Sequence, residues 1–100
     1  MKRNTLALLA VTMTVFAVNA SAYTGQELAG KAKISMEQAR AIALKAHPGN
    51  IIDAELEKEA GGSGLRYSFD IRSNKITQEV GVDASTGEVL ENSPEGKNSD

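Results

Sequence analysis

From Met36 onward, apolar residues recur at spacings of three and four: Met36, Ala39, Ile42, Ala43 and Ala46. That spacing predicts one buried stripe on an amphipathic helix. Ser35 stands as its N-cap, with Gln38 three residues on as the capping-box partner and Ile34 placed to staple against Ala39. Glu37 in the first turn suits the positive end of the helix dipole. His47-Pro48-Gly49 stops the helix, because proline disfavours a helical residue before it and has no N–H to continue the ladder. Beyond this point the period falls to two. Ile52, Ala54 and Leu56 alternate with Asp53, Glu55 and Glu57, and Tyr67, Phe69 and Ile71 alternate with Ser68, Asp70 and Arg72. Ile76, Gln78, Val80 and Val82 then alternate with Thr77, Glu79, Gly81 and Asp83, and Glu88–Leu90 reads as a short last strand. Gly61–Gly64, Ser73–Lys75 and Asp83–Gly87 carry turn residues between the runs. One apolar helix stripe and one apolar sheet face can hide only against each other. The pattern therefore predicts an α+β fold in two layers, one N-terminal helix packed on a three- to four-stranded antiparallel sheet.

The chain ends read differently. Met1-Lys2-Arg3 is basic, Leu6–Val18 is an apolar run of 13 residues, and Asn19-Ala20-Ser21-Ala22 has small residues at the −3 and −1 positions of a cut. This order is that of a secretory signal peptide, and the run falls well short of the about 20 residues a membrane span needs. Residues 1–22 are thus expected to be an export leader cleaved between Ala22 and Tyr23, with no stable membrane anchor left afterwards. The product would be periplasmic or secreted. Tyr23 to Lys33 has two glycines and no sustained period, so 23–33 is expected to be a linker. Residues 91–100, polar with Pro94 and Gly96, are expected to be a flexible tail.

Composition narrows the chemistry sharply. The chain of 100 residues has no cysteine and one histidine, His47, and its net charge of −2 falls to −4 without Lys2 and Arg3. Disulfides, thiolate nucleophiles and Cys-based metal sites are excluded, as is any site needing two imidazoles. No basic block marks a nucleic-acid partner, and four aromatic residues are too few for a stacking platform. His47 lacks a neighbouring nucleophile or orienting partner, so its position suits the last carbonyls of the helix rather than catalysis. The Asp83–Glu88 turn does not follow the calcium-loop order; Asp83 is expected to cap its own backbone and Gly87 to take positive φ. Asp53, Glu55 and Glu57 form an acidic stripe on one side of a strand, the candidate partner-binding face. No catalytic, cofactor-binding or metal-binding residue is assigned, and no enzyme activity is expected.

Ile34-Ser35 with Ala39, Ile42, Ala43 and Pro48-Gly49, followed by Glu55-Leu56 and Tyr67-x-Phe69-x-Ile71, resembles the helix and first strands of a PepSY domain. The closing segment, Glu79-Val80-x-Val82-Asp83-Ala84-x-Thr86-Gly87-x-Val89-Leu90, is the most specific part. The resemblance spans residues 34–90 and implies a module related to thermolysin-type peptidase propeptides, inhibitory or chaperone-like and without chemistry of its own. The Gly61–Gly64 loop is longer than the family's turn. No protease domain follows in this sequence, so the expected role is modulation or inhibition of a peptidase in trans. The partner would be an exported protein. The alternative is a periplasmic accessory or sensor-associated protein that binds the exported domain of a membrane protein.

Overall fold

The computed structural model describes residues 22–95. The expected leader lies outside the described residues except for Ala22, as does the chain beyond Glu95. A 3₁₀ helix, Gln26–Lys31, leads into helix α1 (Met36–Ala46), followed by strands β1 (Asn50–Lys58), β2 (Leu65–Ser73), β3 (Ile76–Asp83) and β4 (Val89–Pro94). The strands form one antiparallel sheet in the order β1-β2-β3-β4. The architecture is α+β with one α-helix on one side of the sheet.

Helix α1 begins as its residues require. The Gln38 backbone N–H donates to Ser35 Oγ at 3.1 Å, and the Ser35 N–H donates to Gln38 Oε1 at 2.8 Å. The backbone N–H groups of Lys33 and Ile34 both donate to the Ala84 carbonyl, at 2.8 and 3.1 Å, which ties the approach to α1 to the β3–β4 turn. The helix ends at Ala46, and the His47 N–H closes it on the Ala43 carbonyl at 2.8 Å. Met36, Ala39 and Ala43 bury against Leu56, Tyr67, Phe69, Ile71, Val80 and Val82 from the sheet. Ala46, expected on the same stripe, is exposed, because the helix terminates there at the edge of the contact. The β2–β3 hairpin closes with Asn74 and Lys75 both at positive φ (51° and 66°), the geometry that matches the twist of paired strands.

Three expectations need correction. The register slips by one residue between Ile51 and Asp53, so Ile51 pairs with Ile71 and Asp53 with Asp70. This bulge turns Ile51 toward the core and leaves Ile52, expected inward, 55% exposed. Residues 23–33, expected to be a linker, include the 3₁₀ helix, which packs on β1. A parallel bridge joins Thr24 to Glu55, and the Leu56 N–H donates to the Thr24 carbonyl at 2.9 Å. Gly25 makes this approach feasible: its φ is +86°, and a Cβ there would collide with the Leu56 carbonyl. Finally, β4 runs to Pro94, four residues into the expected tail. The polar Glu91–Pro94 stretch is held by backbone pairing to β3 and by the Gln78 Nε2 donation to Asn92 Oδ1 at 2.7 Å, neither of which leaves a hydrophobic period.

Candidate functional site

Helix α1 covers one side of the sheet by lying over β2, β3 and β4. The other side has no second layer among the described residues, and the strand register decides what stands on it. Asp53 pairs with Asp70, and Asp70 with Glu79, so three carboxylates face one another across three adjacent strands. Glu55 pairs with Ser68 and Glu57 with Arg66 on the same side, and Glu91 joins from β4 opposite Gly81. The strand period had placed Asp53, Glu55 and Glu57 together, and the structure keeps them on one face. Asp70 and Glu79 fell outside that stripe because alternation alone gives a side, not a register. Glu91 was missed because it fell in the expected tail.

The electrostatics of this face oppose full ionisation. Burial and then Glu95, Asp53 and Glu55 raise the Asp70 carboxyl above its ordinary value. Burial followed by Glu91, Asp70, Glu95 and Glu57 does the same for Glu79. Glu57 is also raised, by burial and by Glu59 and Glu55, although the Ser68 hydroxyl, donating to Glu57 Oε2 at 2.7 Å, works the other way. Like charges directly opposite each other on a sheet are destabilising. Arg66 relieves one end. Its guanidinium donates from Nη1 to Glu91 Oε1 at 3.4 Å and from Nη2 to the Ala60 carbonyl at 3.1 Å, leaving Nε buried without a partner. The side chain lies over Gly81, where a Cβ would stand 3.2 Å from Arg66 Cδ.

Asp83 sits apart from this face and is 1% exposed. Its Oδ2 accepts from the backbone N–H groups of Ser85 and Thr86 and from the Thr86 hydroxyl, while Oδ1 accepts from the Ser63 N–H at 2.7 Å. Burial would raise its carboxyl, but these donors outweigh burial and hold it well below the usual range. Gly87 closes the same turn with φ of +82°, its N–H donating to the Asp83 carbonyl at 2.9 Å. Asp83 thus fastens the Gly61–Gly64 loop to the β3–β4 turn. Every carboxylate oxygen there is engaged by the protein, a structural arrangement.

His47 is half-buried at the end of α1. Among the described residues no group of three or more His, Cys, Asp or Glu is arranged to hold a metal ion. No helix among them is long and apolar enough to cross a membrane.

A small two-layer α+β module whose carboxylates gather on an uncovered sheet face has the form of a binding domain. The model of the PepSY family, the peptidase propeptide and YPEB domain, matches residues 33–92, and the chain belongs to that family. Such domains are generally non-catalytic modules of the peptidase-propeptide or inhibitor-like kind. No curated protein and no solved structure matches the chain.

Proposed function

We propose that the chain, cleaved between Ala22 and Tyr23 and exported, is a non-enzymatic binding module that inhibits or modulates a peptidase in trans. The contact surface is the open sheet face, with Asp53, Glu55 and Glu57 along its β1 edge and Asp70 and Glu79 beside them on β2 and β3. The observation that carries this reading is the line Asp53–Asp70–Glu79 across three strands. These side chains cost stability in the free domain, and a cationic partner surface would remove their mutual repulsion. The family supports the peptidase as the class of partner. Intact-mass analysis of exported material should find a protein beginning at Tyr23; retention of Met1 would overturn the cleavage. The processed domain should then be titrated into a panel of secreted metallo- and serine peptidases. Saturable inhibition or binding of at least one supports the proposal. Binding only to the exported domain of a sensor or reductase replaces it with the accessory role.

A further inference from the structure

Helix α1 lies over β2, β3 and β4 but makes no close approach to β1, whose outer edge is also the edge of the sheet. The C-terminal half of that edge is already occupied. Thr24 pairs in parallel with Glu55, and its carbonyl accepts the Leu56 N–H. The N-terminal half pairs with no strand, and a groove of about 320 Å³ runs along it. Ile51, Ala54 and Tyr23 supply the apolar part, and Arg40 of α1, a half-buried residue, supplies a guanidinium. Asp53 and Ala22 also line it. Among the described residues the Arg66–Glu91 contact is the one ion pair, so the Arg40 charge has no such partner there.

We propose that this groove docks the carboxy-terminal end of an extended peptide, paired in parallel with Asn50–Asp53 and with its terminal carboxylate held by Arg40. The inference rests on the proposed cleavage, since loss of residues 1–22 removes Ala22 from the groove. The lane is blocked at Tyr23, so a second strand lying in it must end there. At the end that abuts Tyr23, an antiparallel strand would bring its ammonium against the Tyr23 ammonium that cleavage creates, whereas a parallel one brings its carboxylate to that ammonium and to Arg40, which lines the same groove. Charge complementarity therefore selects the parallel orientation, and Thr24 shows that this edge accepts parallel pairing. Backbone pairing would provide register, and the charge-assisted bond to Arg40 would distinguish a chain terminus from a passing segment.

The test uses ¹⁵N-labelled protein beginning at Tyr23 and the peptide acetyl-Thr-Val-Thr-Val-Ala as free acid and as C-terminal amide. The acid should produce saturable shifts centred on the amides of Ile51–Ala54, and the amide should bind at least about tenfold more weakly, the loss expected for one charge-assisted bond. Arg40→Gln, with an unchanged melting midpoint, should narrow the difference to what the Tyr23 ammonium alone supplies, and a difference that this change leaves intact would overturn the site. Equal affinities for acid and amide, shifts centred elsewhere, or no saturable binding would overturn the site. So would tight binding of an amide-capped peptide ending in Asp. Peptidase inhibition that persists in Arg40→Gln separates failure of this site from failure of the broader function.

Discussion

Asp83 and Phe69 show how differently single residues hold this domain. Asp83 is a buried charge kept ionised by four donors from the protein. Because its carboxyl titrates lower in the folded chain than its ordinary value of 3.8, its contribution is present above that value and disappears as pH falls through the folded one. Asp83→Ala should orphan the Ser63, Ser85 and Thr86 N–H groups and cost about 2–3 kcal/mol at neutral pH, read by chemical denaturation. The mutant should also lose part of the acid sensitivity of the parent. Phe69 is fully buried between Ala54 and Val80 on the neighbouring strands. Phe69→Ala should cost about 3–5 kcal/mol, most of the margin of a domain this size. A loss below about 1 kcal/mol in the same melt would contradict its place between helix and sheet. Phe69 was legible in the sequence from strict alternation, whereas the burial of Asp83 and its hold on Ser63 were not, because that contact joins loops 20 residues apart.

At the scale of elements, strongly periodic segments could be read directly and irregular ones could not. Helix α1 announced itself through Ser35, Gln38 and Pro48, which act locally. The bulge at Ile52 left no such mark, since Ile51 and Ile52 are equally apolar and only pairing with Ile71 and Asp70 selects between them. The segment before α1 is held by tertiary contact: half-buried Leu28, the Thr24–Glu55 bridge and the fit of Gly25 against Leu56. Gly25→Val combines positive φ with a collision against backbone and should detach this segment. Hydrogen exchange at the Leu56 amide should then accelerate, while exchange at Phe69 in the interior strand stays slow. Unchanged protection at Leu56 would contradict the packing of the segment on β1. For the candidate site, the alternation supplied the stripe on β1, but its continuation onto β2 and β3 depended on a register that no local signal encodes.

Across the whole molecule, one layer of helix and one of sheet leave a charged surface that works against the fold. Glu57, Asp70 and Glu79 titrate higher in the folded chain than in the unfolded one. Protonating them favours folding, so their contribution is largest below the ordinary carboxylate values and is lost as pH rises through the raised ones. On acidification from pH 7 to about 5, denaturation midpoints should rise, and they should fall again below about pH 4 as the stabilisation from ionised Asp83 is progressively lost. Added salt should shrink the first effect by screening the exposed charges. A midpoint that falls steadily from pH 7 would contradict the repulsion assigned to the face. The most direct measurement of the central claim is amide chemical-shift mapping of the domain with a secreted peptidase that it binds. The shifts should centre on Asp53, Glu55, Glu57, Asp70 and Glu79, and reversing Glu55 and Asp70 to lysine should slow association at low salt. Shifts confined to the solvent side of α1, with association indifferent to both reversals, would contradict a partner-binding role for the open sheet face.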